Sequence, residues 1–201
     1  MRPTVTFWFD LASTYSYLSA MRIEAEAETR GIAVSWKPFL LGPIFAAQGW
    51  SNSPFNLYPA KGRYMLRDME RRCAALGLPL QWPSTPLPAN SIRAARLAIA
   101  ALETTDKGSD LCRMIYHMQF GEGADIADAD TLQEALHRVG LSDDLHQVAR
   151  SPELKPLLRA NTDQAQAAGI FGAPSFTIGD ELFWGDDHLE AAFDWAVAKQ
   201  D

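Results

Sequence analysis

The residues best placed to do chemistry are two serines, Ser13 and Ser16, at the start of a predicted helix. They follow residues 5–9, an apolar run with the composition of a β-strand. Backbone N–H groups and the dipole at a helix N-terminus favour an anion there. The spacing is that of a Cys-x-x-Cys redox pair, but two serines cannot form a disulfide. A thiol that acts here must therefore come from a ligand, and glutathione is the obvious candidate.

A hydrogen bond from Ser13 would make such a thiol more acidic. Lowering a thiol pKa by one unit takes about 1.4 kcal/mol of preferential thiolate stabilisation. One charge-assisted hydrogen bond contributes roughly 1.5–3 kcal/mol, enough for a unit or two. The alternative is that Ser13 or Ser16 only caps the helix, and the local sequence alone favours that alternative.

Other segments could complete a ligand site. Pro174 begins a predicted strand, and an extended peptide could pair with the backbone of Ala173 before it. Asp187 opens the last helix and could meet an ammonium group while helix N–H groups meet a carboxylate. Asn52 and Lys61 lie in or beside a long irregular stretch, where Lys61 could face a second carboxylate. The alternatives are an ordinary strand proline, a helix cap and a solvated cation.

The elements around these residues predict an α/β fold. Residues 3–9, 16–30 and 32–36 form a strand, a helix and a strand, a unit whose strands are most easily parallel. Residues 42–59 are an irregular excursion with one short helix at 44–48. Helices are predicted at 64–75, 90–102, 109–121, 130–139, 145–149 and 152–168, with N-caps at Asp130 and Ser151 in the fourth and sixth. Strands at 172–179 and 181–184 precede a helix at 188–199.

This order predicts a thioredoxin-like sheet with an all-α domain inserted in its middle. The sheet domain takes residues 1–42 and 169–201, and the helical domain, with the excursion that covers the substrate, takes 43–168. In such a fold Pro174 occupies the cis-proline loop that faces the active-site helix, although most X-Pro bonds are trans.

Composition narrows the function classes. The chain has 201 residues and a net charge of -7, which argues against nucleic-acid and membrane partners. It shows no secretory signal, so we expect a cytoplasmic protein. Cys73 and Cys112 have no metal-ligand spacing and suit a core in a reducing compartment, so no metal site is expected.

Six stretches together resemble the 2-hydroxychromene-2-carboxylate isomerases and their relatives, the kappa-class glutathione transferases. Both belong to the DsbA-like branch of thioredoxin folds. The matching stretches follow the family order across nearly the whole chain, at residues 7–18, 59–65, 88–91, 121–123, 169–176 and 183–189.

The resemblance implies a glutathione-dependent isomerase of aromatic catabolism. The family chemistry interconverts 2-hydroxychromene-2-carboxylate and trans-o-hydroxybenzylidenepyruvate by reversible addition of the glutathione thiolate, and Ser13 stabilises that thiolate without being the nucleophile. A homodimer is expected as well. The implied glutathione-binding residues are Ser13, Thr14, Tyr15, Asn52, Lys61, Ala173, Pro174, Asp186, Asp187 and His188, and the implied substrate pocket contains Trp8, Phe39 and Asn90.

Two departures from the family pattern bear on this interpretation. Thr14 stands where the family usually has proline, so we expect the first helical turn to form with looser preorganisation. His188 stands where the family often has arginine. A kappa-like transferase or glutathione peroxidase is one alternative, and a non-catalytic module that binds glutathione or a peptide is another. A disulfide oxidoreductase is disfavoured because serines cannot cycle, and a serine hydrolase because the chain has no Gly-x-Ser-x-Gly elbow.

Overall fold

A mixed four-stranded sheet carries the site. The computed structural model of the chain describes residues 2–199. The predicted limits at residues 1 and 201 lie outside that range. In chain order the strands are β1 (Thr4–Phe9), β2 (Ala33–Pro38), β3 (Ser175–Ile178) and β4 (Glu181–Trp184), and their order in the sheet is β2-β1-β3-β4. β1 pairs with β2 in parallel, as predicted, and β3 pairs antiparallel with both β1 and β4.

Helices fill the chain between β2 and β3. α1 (Thr14–Arg30) connects β1 to β2 and ends at Gly31, which takes the left-handed conformation with φ 66°. The remaining helices are α2 (Leu41–Ala47), α3 (Pro54–Leu57), α4 (Pro59–Leu76), α5 (Ile92–Thr104), α6 (Gly108–Tyr116), α7 (Ala129–Arg138), α8 (Leu145–Val148), α9 (Leu157–Ala167) and α10 (Leu189–Ala198). A π-helical turn, His117–Gly121, follows α6, and a 3₁₀ turn, Asp186–His188, precedes α10.

Three predicted helix starts are wrong. The helix predicted from residue 64 begins five residues earlier, because α4 starts at Pro59, and proline is favoured in the first turn of a helix. Asp128, not Asp130, caps α7, since its side chain accepts the Asp130 N–H at 3.3 Å. The helix predicted from residue 152 begins five residues later, at α9. Pro156 has no N–H to donate to the preceding turn, and the regular helix forms only after it.

One apolar core joins the sheet to the helical part. Phe7 of β1 stacks on Phe9 and on Phe176 of β3, with ring centroids 5.0 and 5.6 Å apart. The same cluster of buried side chains continues to Leu111 of α6 and Leu132 of α7. The division into 1–42 with 169–201, and 43–168, stays a prediction. Among the helices of residues 2–199, none has the length and apolar character needed to cross a membrane.

Candidate active site

A cavity of about 1530 Å³ opens beside the start of α1. Its walls come from the β1–α1 junction, the excursion at 42–58, α4, residues 87–92, and residues 171–174 with 184–188. Small-ligand pockets usually measure roughly 300–1,000 Å³, so this cavity has room for more than one small ligand.

Ser13 caps α1 and also reaches the opposite wall of the cavity. Its Oγ accepts the N–H of Ser16 at 3.3 Å and donates to the carbonyl oxygen of Ala173 at 3.1 Å. The backbone N–H groups of Thr14 and Tyr15 meet no acceptor within residues 2–199. The local sequence favoured a cap, and Ser13 is one, with two free amides beside it for an anion.

The chain around Pro174 faces Ser13. The Ala173–Pro174 peptide bond is cis, as the predicted fold requires, and Leu87–Pro88 is also cis. The Pro174 carbonyl accepts the Gly185 N–H at 3.0 Å, so the Ala173 carbonyl is left to Ser13. The cavity wall therefore presents backbone polar groups directly opposite a helix N-terminus.

Thr14 is the first residue of α1 and is buried, at 6% exposure. The first turn therefore forms without the proline that is usual there, as predicted.

A buried carboxylate that sequence reasoning missed holds three walls of the cavity together. Asp10 Oδ1 accepts the Ala12 N–H at 2.9 Å and the Ser91 hydroxyl at 2.7 Å, and Oδ2 accepts the Leu41 N–H at 2.8 Å. Burial raises the Asp10 pKa, while these hydrogen bonds oppose the rise. The available signal was an aspartate directly after an apolar strand.

The Tyr15 side chain forms the floor between α1 and α4. Its hydroxyl donates to Oδ2 of Asp68 at 3.1 Å, and its ring lies 6.3 Å from that of Phe55. Burial raises the Tyr15 pKa, and the charge of Asp68 raises it further. The hydroxyl therefore stays protonated at neutral pH and cannot serve as a base.

Asp186 lines the cavity, but its carboxylate is fully buried and accepts hydrogen bonds from Ser19, Arg22 and Arg72. Both carboxylate oxygens are therefore occupied by protein donors, and the predicted contact of Asp186 with glutathione stays a prediction. Arg72, which sequence reasoning missed, lines the same cavity. Nothing in the local sequence of α4 distinguishes Arg72 from the arginines beside it.

Asp187 and His188 line the cavity with exposed side chains, at 66% and 55% exposure. His188 Nδ1 lies 3.6 Å from Asp187 Oδ1. Gly185 precedes them with φ 103°, and a Cβ there would come within 2.5 Å of the Asp187 carboxylate. Glycine is thus required for the turn that presents Asp187.

The structure places Asn52 and Lys61 on the far wall of the same cavity. The Asn52 side-chain oxygen accepts the Ser53 N–H at 2.7 Å and the Asn56 amide at 3.1 Å, which orders the excursion. Lys61 is exposed, with Nζ 5.0 Å from the centre of the Tyr58 ring. Its ammonium group has no carboxylate within 4.0 Å among the described residues.

The substrate-pocket prediction is wrong for Trp8 and Phe39. Both are buried in a separate apolar cluster with Ile44 and Ile170, because Trp8 lies on the opposite face of β1 from the main core. Asn90 does line the cavity, and its side-chain oxygen accepts the N–H of residue 92 at 3.2 Å. The aromatic side chains that line the cavity are Tyr15, Phe45, Trp50, Phe55, Tyr64, Phe171 and Trp184.

Comparisons with known proteins show the family of this chain. Residues 4–194 match the family model of the DsbA-like thioredoxin domain. The chain is 30% identical over 194 residues to 2-hydroxychromene-2-carboxylate isomerase of Sphingobium xenophagum, covering 94% of this chain and 96% of that protein. It is 28% identical to glutathione S-transferase kappa 2 of Caenorhabditis elegans, over 96% and 92% of the two chains.

A solved structure gives the same result at the level of the fold. A crystallographically characterised 2-hydroxychromene-2-carboxylate isomerase superposes with a TM-score of 0.86 at 22% identity, over 98% of this chain and 95% of the other. The predicted thioredoxin-like sheet with a helical insertion is confirmed. The chain belongs to the DsbA-like thioredoxin family and, within it, to the 2-hydroxychromene-2-carboxylate isomerases, which are related to the kappa-class glutathione transferases.

Proposed function

We propose that this protein is a glutathione-dependent isomerase. Its substrate is a small aromatic carboxylate of the type interconverted between 2-hydroxychromene-2-carboxylate and trans-o-hydroxybenzylidenepyruvate. The isomerase relative supports the reaction class, and the kappa-class relative supports glutathione. The observation that carries the proposal is the Ser13 hydroxyl at the start of α1, next to two free amides and open to the cavity.

The chain's own thiols are unsuited to this work. Cys73 and Cys112 are both buried, and burial raises the pKa of Cys73 to about 11. Burial raises the pKa of Cys112 as well. Neither is a thiolate at neutral pH, so a ligand must supply any nucleophilic sulfur in this cavity.

The residues around Ser13 are suited to stabilise a thiolate that belongs to a ligand. When bound, glutathione would supply a thiolate, a nucleophile suited to reversible addition to a conjugated double bond, and the residues at the start of α1 would hold its sulfur. Ser13 can turn its hydroxyl proton from the Ala173 carbonyl to the sulfur, and the Thr14 and Tyr15 amides add partial positive charge. The proton stays on Ser13 throughout, because its task is to stabilise an anion.

The remaining wall residues would bind and orient the ligands. Asp187 and Lys61 both line the cavity, and we propose that Asp187 binds the ammonium group of the γ-glutamyl moiety and Lys61 a carboxylate. The excursion and the aromatic side chains on it would cover the substrate and exclude water. Because an isomerisation changes neither the composition nor the oxidation state of the substrate, the cycle needs no external oxidant or reductant.

Calorimetric titration of glutathione into the wild-type protein and Ser13→Ala tests the proposal, together with a thiolate absorbance scan against pH. We expect binding by the wild type with a lowered thiol pKa, and turnover of a chromene carboxylate only when glutathione is present. Absence of glutathione binding would sink the proposal. Binding with an ordinary thiol pKa and no turnover would instead identify the non-catalytic module.

A kappa-like transferase or peroxidase is the second candidate, favoured by the 28% identity to a kappa-class transferase. The two enzymes would share the glutathione site and differ in the aromatic wall. Incubation with electrophilic aromatic halides or hydroperoxides and glutathione separates them, because only a transferase or peroxidase consumes the tripeptide. We also propose a homodimer, which sedimentation equilibrium tests directly.

A further inference from the structure

Arg72 lies in the cavity wall with most of its hydrogen-bond donors unused. It projects from α4, its side chain is 28% exposed, and it lines the cavity together with Tyr15 and Asp187. A guanidinium carries five N–H donors. Within the described part of the chain it makes one hydrogen bond, from Nη2 to Oδ2 of Asp186. Its other donors are available to a ligand.

The buried carboxylate of Asp186 fixes the position of this guanidinium. Its other oxygen, Oδ1, accepts the Ser19 hydroxyl at 2.7 Å and Arg22 Nη2 at 3.1 Å, and the carboxylate is fully buried. Two guanidinium groups thus flank one buried carboxylate, and Glu190 offsets Arg22 on the outer side. Arg72 is held in place before any ligand arrives, so little of its freedom is lost on binding.

Arg72 lies between the two parts of the cavity that are proposed to bind glutathione, the start of α1 and the turn that holds Asp187. Its guanidinium carbon lies 6.0 Å from the centre of the Tyr15 ring, two residues along α1 from Ser13. Its anchor, Asp186, directly precedes the exposed Asp187 carboxylate. A cation and an anion therefore both line the cavity, the cation beside the ring of Tyr15 in the first turn of α1 and the anion directly after the anchor of that cation.

This pair of opposite charges fits an amino-acid head group. We propose that Arg72 binds the α-carboxylate of the γ-glutamyl group of glutathione, that Asp187 binds its ammonium group, and that Asp186 is the positioning residue for Arg72. The inference rests on the proposed binding of glutathione and adds the residue that selects for its γ-glutamyl end. A guanidinium can bind a carboxylate through two parallel hydrogen bonds and brings a full positive charge to it.

A ligand cycle tests the assignment. Calorimetry compares glutathione with 4-aminobutyryl-cysteinyl-glycine, which lacks only the α-carboxylate, on the wild type and Arg72→Gln. We expect the wild type to prefer glutathione by at least about tenfold, or about 1.4 kcal/mol. Arg72→Gln should bind both peptides equally, near the wild-type affinity for the analogue. Arg72→Lys, which keeps the charge without the planar fork, should recover part of the preference.

Matched variants separate this from a general loss of structure. Arg67→Gln removes another arginine of α4, one that is 66% exposed and pairs with Glu70 outside the cavity, and it should keep the full preference. Asp186→Asn should lower the preference without changing the affinity for the analogue. If Asp186→Asn does not fold, the Arg72 variants decide alone.

The outcomes distinguish this inference from the proposed function. A preference that survives in Arg72→Gln, or a wild type that binds both peptides equally, overturns the assignment of Arg72 and leaves glutathione binding intact. A wild type that binds neither peptide overturns both.

Discussion

The Ser13 hydroxyl donates to the Ala173 carbonyl across 3.1 Å, joining the start of α1 to the loop before β3. The two residues are 160 positions apart in the chain. A ligand sulfur must compete with this carbonyl for the proton. An anionic sulfur is a far better acceptor than a neutral thiol, so the arrangement favours binding of the thiolate.

Ser13→Ala should raise the thiol pKa of bound glutathione by about one to two units, because one charge-assisted hydrogen bond is lost. Loss of the N-cap should also lower the free energy of unfolding by about 1 kcal/mol. Thiolate absorbance against pH and urea unfolding measure the two effects. The control is Ser16→Ala, since the Ser16 hydroxyl is buried with no hydrogen-bond partner among residues 2–199. An equal pKa change in both variants would contradict the role given to Ser13.

Thr14→Pro should raise the free energy of unfolding by about 0.5 kcal/mol. Thr14 is the first residue of α1, where the ring of proline presets φ and its missing N–H breaks no helical bond. The change also removes the free Thr14 N–H, one of the two amides proposed to stabilise the thiolate, so the thiol pKa of bound glutathione should rise. Urea unfolding and thiolate absorbance against pH measure the two effects. An unchanged thiol pKa would contradict the role given to the Thr14 amide.

Gly62→Ala should push α3 away from its close contact with α4. A Cβ at Gly62 would lie 2.4 Å from the backbone oxygen of Phe55, so the backbone of the excursion must move. We expect a loss of about 1–3 kcal/mol in unfolding free energy and a higher KM for the aromatic substrate. The control Gly42→Ala adds a Cβ with no atom within 4 Å, and it should be neutral or stabilising. Equal effects of the two changes would exclude close packing of α3 on α4 as the cause.

Stability should fall in acid partly through Glu190. Burial acts to raise its pKa, but the hydrogen bond and charge of Arg22, with the charge of Arg30, leave it below 4.5. The unfolded chain therefore binds the proton more readily, and this stabilisation, complete above pH 4.5, is lost as pH falls through the folded-state pKa. Urea unfolding should show Glu190→Gln less stable than the wild type at pH 7, with a gap that narrows in acid. A gap that widens in acid would contradict the sign.

The features that could be predicted are those set by residues close to one another in the sequence. The apolar run of β1, the alternation in β2 and the glycine after α1 are all local patterns, so the βαβ unit was predicted with small boundary errors. Ser13 was predictable as a cap for the same reason. The cis bond at Pro174 was expected only from the predicted fold, because most X-Pro bonds in proteins are trans.

The features that were missed depend on contacts between distant segments. Trp8 was predicted in the substrate pocket because it is aromatic, but the strand turns its side chain to the face covered by Ile170. Asp186 and Asp187 are adjacent acids in the sequence, and only the arginines from α1 and α4 show that one is buried and the other exposed. Nothing in the local sequence distinguishes Arg72. Its position in the cavity wall depends on an ion pair with Asp186, which lies in the turn before α10.

The buried carboxylate of Asp10 has a consequence for how this scaffold can diversify. Its two oxygens fix the first residue of α2 and the residue before α5, while the tip of the excursion beyond them contributes exposed side chains. The frame of the proposed sulfur site is thus anchored independently of the residues that would touch the aromatic substrate. Substitutions between the two anchors could reshape the proposed substrate pocket while the proposed thiol-binding end keeps its geometry, which is a route by which one fold could serve both isomerases and transferases.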